Sequence, residues 1–191
     1  MTGMTMRTAP RNTGLGGRLV RSLCLIAVVL GGAWLAAGSP VLAQSVTMGP
    51  SGFPVPRFVS LKSDRVNVRV GPTLEHRIGW TYLRSGLPVE IVQEFENWRR
   101  IRDWQGEEGW VFHSLLSGRR TALVTPWETT GTTPLRADPR SDARLSAELA
   151  PNVLVNVGSC REGWCRVSGS GFSGWIDQTR LFGVYPDETV E

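Results

Sequence analysis

The feature that most constrains how this chain can fold is an internal repeat. Val66-Asn67-Val68-Arg69-Val70-Gly71-Pro72 returns as Thr133-Pro134-Leu135-Arg136-Ala137-Asp138-Pro139, so Pro72 matches Pro139. Further on, Trp98-Arg99-Arg100-Ile101 matches Trp164-Cys165-Arg166-Val167, and Gly109-Trp110-Val111 matches Gly174-Trp175-Ile176. Leu116-x-Gly118 closes the first copy as Leu181-x-Gly183 closes the second. Anchors kept in one order mean that one structural unit occurs twice, and any fold proposed for one copy must serve the other.

Each copy reads as β structure. Val66, Val68 and Val70 alternate with Asn67 and Arg69, and Val89, Ile91 and Phe95 alternate with Glu90 and Glu94, the period of half-buried strands. Glu96-Asn97 and Gln105-Gly106 supply turns, and Gly109-Trp110-Val111-Phe112 makes the last strand. Val153, Val155 and Val157, the Gly169-Ser170-Gly171 turn and Trp175-Ile176 repeat the plan. Leu145 to Leu149 is the one stretch with a helical pattern, and it is very short. Four or five short strands bury both faces by curling into a small barrel.

These residues resemble a known family. Asn67-Val68-Arg69 with Gly71-Pro72, then Trp98, Gly109-Trp110-Val111 and Leu116, are similar to the bacterial SH3-like domain. The resemblance implies an all-β protein with two tandem SH3-like barrels, 58–119 and 120–184. In the second copy Pro134 stands for Asn67 and Asp138 for Gly71, so a binding role shared with the first copy is less expected. Arg119-Arg120-Thr121 leaves almost no linker, and the barrels should pack together.

The N-terminal region follows a different logic. Positions 1–43 carry Arg7, Arg11, Arg18 and Arg21 and no acidic residue, with an apolar run from Leu23 to Ala37 ahead of Val41-Leu42-Ala43. That is the pattern of a secretory signal peptide cleaved after Ala43. Its apolar stretch is shorter than the roughly twenty residues that span a bilayer. The protein is expected in the periplasm or secreted, touching the membrane only through that segment. Setting the four arginines aside leaves 17 basic and 17 acidic residues, which excludes a basic nucleic-acid footprint. Residues 44–57, rich in Pro and Gly, read as an extended polyproline-like leader that is either a spacer or lies along a barrel groove. The acidic segment 185–191 reads as a frayed tail.

The repeat puts Arg161-Glu162-Gly163-Trp164 at a hairpin turn, so the flanking Cys160 and Cys165 face each other at disulfide distance. A redox pair would have two intervening residues, and zinc would need further ligands. With both mature cysteines bonded there is no thiolate, and His113 and Ser114, adjacent on a strand, would point to opposite faces. The chain is therefore expected to be no enzyme and to use no cofactor or metal.

Trp110, Trp175, Trp98 and Trp164 occupy matching positions and suit the barrel framework. Trp80 and Trp104 have no aromatic counterpart, since Ala147 and Gly169–Gly171 fall there. With Tyr82 they map to the loop after Pro72 and the turn near Gly106, and in SH3-like folds such loops border the ligand groove. The resemblance thus implies an aromatic site in the first barrel, suited to sugar rings or extended peptides. Its expected ligand-binding residues are Trp80, Tyr82, Trp98 and Trp104, with Arg69 or Arg77 pairing with a carboxylate. The expected partner is cell-wall peptidoglycan, by stem peptide or glycan, or alternatively an envelope protein.

Overall fold

The computed structural model describes residues 47–191; the expected signal peptide, 1–43, lies outside them. The first barrel is formed by β3 (Arg57–Leu61), β4 (Val66–Arg69), β5 (Ile78–Tyr82), β6 (Pro88–Phe95), β7 (Trp98–Arg102), β8 (Glu108–Phe112) and β9 (Leu116–Ser117). It follows the hairpin of β1 (Thr47–Met48) and β2 (Pro54–Val55). The second barrel is formed by β10 (Thr121–Val124), β11 (Thr133–Arg136), β12 (Leu145–Leu149), β13 (Leu154–Arg161), β14 (Trp164–Gly169), β15 (Phe172–Asp177) and β16 (Leu181–Phe182). Leu145–Leu149 is therefore a strand. Each barrel is a seven-stranded sheet, ordered β5-β4-β8-β7-β6-β3-β9 in the first and β12-β11-β15-β14-β13-β10-β16 in the second, with every pairing antiparallel.

The two orders are identical after a shift of seven strands, and the repeat holds at the level of register. Val68 opposes Trp80 as Leu135 opposes Ala147, and Arg69 opposes Trp110 as Arg136 opposes Trp175. The Gly-Trp anchor has a steric reason. A Cβ on Gly109 would come within 2.9 Å of Trp80 Cη2 and 3.1 Å of the Arg69 carbonyl. On Gly174 it would meet the Arg136 carbonyl at 2.6 Å. Only glycine lets the last long strand cross so close to its neighbour.

Two β-bulges alter the expected alternation. Between Val68 and Arg69 the β4–β5 register shifts because Gly79 is an extra residue on β5, which turns Ile78 outward, while Val66 and Val68 stay in the core and Val70, beyond the end of β4, is exposed. Between Ile91 and Gln93 the β6–β7 register shifts, and Phe95 turns outward while the Glu94 side chain is only 1% exposed. An extra residue in one strand exchanges the two faces beyond it.

The first core holds Val59, Leu61, Val66, Val68, Leu87, Val89, Ile91, Ile101 and Val111. It also takes Leu123 of the second copy, with Leu154 and Phe182 packed on its edge. The second core is built from Val124, Leu135, Val155, Val157, Val167, Ile176 and Leu181 around Cys160 and Cys165. Those cysteines are directly opposed in β13–β14, with Cα atoms 4.1 Å apart, and are joined in a disulfide. Their counterparts are Glu94 and Arg99, paired by an ion bridge of 3.0 Å.

The leader and the tail both differ from expectation. The leader is a hairpin instead of a polyproline-like extension. Its Ser51 donates from the backbone N–H (2.9 Å) and the hydroxyl (2.7 Å) to the Glu94 carboxylate, which gives the turn a polar anchor on barrel one. The tail is docked instead of frayed. Buried Gln178 donates from Nε2 to the carbonyls of Tyr185 and Glu188, Arg120 ion-pairs with Glu188, and Val190 bridges to Cys160.

Candidate functional site

The expected site residues separate into an inner and an outer group. Trp80 and Tyr82 lie on β5, not in the loop, and both point inward because their partners Val68 and Val66 do. Tyr82 is 8% exposed and donates its hydroxyl to Asp103 Oδ2 at 2.7 Å. Asp103, itself buried, accepts from the backbone of Gln105 and Glu107 through Oδ1, so it ties the Trp104 turn to β5. Burial first, and then the bond to Asp103, push the Tyr82 pKa well above the ordinary phenol value. Tyr82 is thus a polar peg beneath the site.

Trp80 meets Tyr82 edge-on with centroids 6.2 Å apart, and Trp80 and Trp104 are both half-buried against the same core. The structure therefore brings Trp80, Tyr82 and Trp104 into one neighbourhood around Asp103, leaving part of each indole accessible. In the second barrel Ala147 stands opposite Leu135, and Phe172 covers Gly169 and packs on the core.

Trp98 lies elsewhere. It is 7% exposed, opposes Phe95 and Phe112, and meets Phe112 edge-on at 5.5 Å. Arg69 donates Nη1 to the carbonyl of His76, bracing the loop after Pro72, and Arg77 is exposed in that loop. His113 and Ser114 sit in a 3-10 turn, not on a strand, and both are exposed.

A groove elsewhere on the first barrel was not legible in the sequence. It has a volume of about 600 Å³ and runs between the leader, barrel one and the tail, over Phe53, Pro56, Phe58, Ile91 and Leu116, with Tyr185 on its far wall. Phe58 meets the Tyr185 ring at a tilt of 43°, with centroids 4.7 Å apart. Arg57, Arg99 and Arg120 line it. Glu94 bridges the first two at 2.8 and 3.0 Å. Burial alone would raise the Glu94 pKa, but Ser51 and the two guanidiniums outweigh it and hold the carboxyl below its ordinary value. These residues come from four distant stretches of chain, so no local pattern could have collected them.

Two small barrels with identical strand order define a tandem SH3-like protein. A family model for the bacterial SH3 domain matches residues 62–118 and again 130–183, and the chain belongs to that family. Among solved structures, NlpC2 of Trichomonas vaginalis is similar at 15% identity and a TM-score of 0.31, over 66% of this chain and 48% of that one. NlpC1 of the same organism is similar at 15% identity and 0.31, over 75% of this chain and 51% of that one. The chain thus spans about half the length of either protein. No curated protein matches it.

Proposed function

We propose that this protein is a non-catalytic, exported binding module of the bacterial cell envelope, recognising peptidoglycan through its first barrel. The observation that carries the reading is the pair Trp80 and Trp104, half-open indoles held over Tyr82 and Asp103 in one copy and absent from the other. Rigid aromatic surfaces suit sugar rings and extended peptides, giving broad contact at little cost in side-chain freedom. Arg77, exposed in the loop that leads into β5, supplies a cation for a wall carboxylate. Tyr82 and Trp98, being buried, contribute by shaping the barrel. The disulfide leaves neither Cys160 nor Cys165 as a nucleophile.

Sedimentation with purified sacculi at two salt concentrations tests this. Pelleting should persist at high salt and fall at least tenfold in the Trp80→Ala, Trp104→Ala double variant, once circular dichroism has shown that the variant is folded. Undiminished pelleting of the folded variant removes the site, and no pelleting of the parent at either salt removes the wall as ligand.

The groove favours a second reading, in which the protein is an envelope adaptor that docks a protein segment and has no wall affinity. A stoichiometric protein partner recovered from cells, without sedimentation on sacculi, would select it.

A further inference from the structure

The two barrels carry the same outward-facing constellation, and only one of them supplies its counter-charge. In barrel one, Trp110 on β8 lies between Arg69 on β4 and Arg100 on β7. In barrel two, Trp175 on β15 lies between Arg136 on β11 and Arg166 on β14. The residue diagonal to the inner arginine differs. In barrel one it is Glu108, whose carboxylate meets Arg100 Nη2 at 2.9 Å. In barrel two the register places Ser173 there, which carries no charge.

Barrel two also adds a cation. Arg161 takes the position held by Phe95 in barrel one, and its guanidinium carbon lies 5.2 Å from the Trp175 ring centroid. Three arginines therefore neighbour one tryptophan, Arg161 by its ring contact and Arg136 and Arg166 by strand register, with Arg136 also donating Nη1 to the Ala143 carbonyl at 3.0 Å. Carboxylates on neighbouring elements are Glu148 on β12, Asp138 and Asp142 in the β11–β12 loop, Glu162 in the β13–β14 turn, Asp177 on β15 and Glu191 beside the Val190 bridge. None of them ion-pairs with Arg136, Arg161 or Arg166. Asp177 is engaged instead by Thr179. Like charges so grouped, within about one Debye length, repel one another, and a bound anion relieves that repulsion.

We propose that the Arg136–Trp175–Arg166 face of barrel two, with Arg161, is a binding site for an acidic peptide segment, whose carboxylate takes the place that Glu108 fills in barrel one. Barrel one is the internal precedent, because a glutamate side chain fits beside the same Arg–Trp pair there at hydrogen-bonding distance. Guanidinium groups match carboxylates in shape as well as charge. The site is on the other barrel from the aromatic pair and stands whether or not the wall is the ligand of barrel one.

The test uses protein recovered from cells expressing the full chain, with acetyl-hexaglutamate as probe and the Trp175 indole N–H resonance as readout. Hexaglutamate should shift that resonance saturably and bind several-fold more weakly when salt is raised from low to physiological concentration. Ser173→Glu installs the missing counter-charge without removing an arginine and should weaken binding at least tenfold. Arg166→Ala should do the same, while Arg100→Ala leaves it unchanged. The proposal fails if hexaglutamate leaves Trp175 unmoved or if binding survives both Ser173→Glu and Arg166→Ala. It also fails if tripolyphosphate binds the face and hexaglutamate does not.

Discussion

At the residue scale, the most consequential side chain is one that an alternating pattern treats as an outward charge. Glu94 gathers Ser51 from the leader, Arg57 from β3 and Arg99 from β7 on one carboxylate. Because its folded pKa is depressed, it contributes stability above the unfolded carboxyl value that is lost as pH falls through the folded one. Glu94→Gln should cost roughly 3 kcal/mol, since it leaves two poorly solvated guanidiniums without a counter-ion. The acid limb of the stability profile should flatten in the same variant, and denaturant unfolding between pH 3 and 7 measures both effects.

The chain's two tyrosines give the opposite sign. Burial raises the pKa of both Tyr82 and Tyr185, helped by Asp103 and by Glu90 respectively. A phenol whose folded pKa is raised supports the fold fully below the unfolded value near 10, and that support is lost as pH climbs towards the folded value. Tyrosinate absorbance at 295 nm should therefore rise in step with unfolding. Independent ionisation of folded protein near pH 10 would contradict the buried placement.

At the element scale, the same hairpin is secured in two chemically different ways. In β13–β14 the opposed pair is Cys160 and Cys165, and in β6–β7 it is Glu94 and Arg99. Closing so short a loop is worth about 2 kcal/mol in the chain-entropy account. Reduction, or Cys160→Ser with Cys165→Ser, should lower the melting temperature by several degrees and leave far-ultraviolet circular dichroism of the folded state unchanged. The tail adds to this element, since Val190 exchanges backbone hydrogen bonds with Cys160 at 2.9 and 3.1 Å.

At the scale of the whole molecule, residues 47–191 behave as one packed unit made of two copies. Leu123 begins the second barrel yet is buried in the core of the first. Thr121 Oγ1 donates to the Gly86 carbonyl at 2.7 Å, and Tyr185 reaches Glu90 at 2.9 Å. Gly183, at φ 127°, passes so close to Thr121 and Pro88 that any side chain would collide. Calorimetry should show one unfolding transition. Leu123→Ala should destabilise it by about 3 kcal/mol without splitting it; two separate transitions in the parent would mean that the shared core does not couple the barrels.

The sequence by itself determined the repeat, the β class, the tandem of two SH3-like units and the facing of Cys160 and Cys165. These follow from period, glycine and turn chemistry, all written within a few neighbouring residues. It also singled out Trp80 and Trp104, because a repeat exposes what one copy has and the other lacks. Tertiary structure decided the rest. The bulge at Val92 reversed the facing of Phe95, since one extra residue changes every side beyond it and nothing local marks where pairing slips, and the end of β4 at Arg69 left Val70 exposed. The anchoring of the leader on Glu94, the docking of the tail by Arg120 on Glu188 and the groove between them depend on residues 37 or more positions apart. The Arg–Trp–Arg row belongs to the same class. Its members lie on three strands and meet only through register, which hydrogen bonding between strands sets and one-dimensional pattern does not contain.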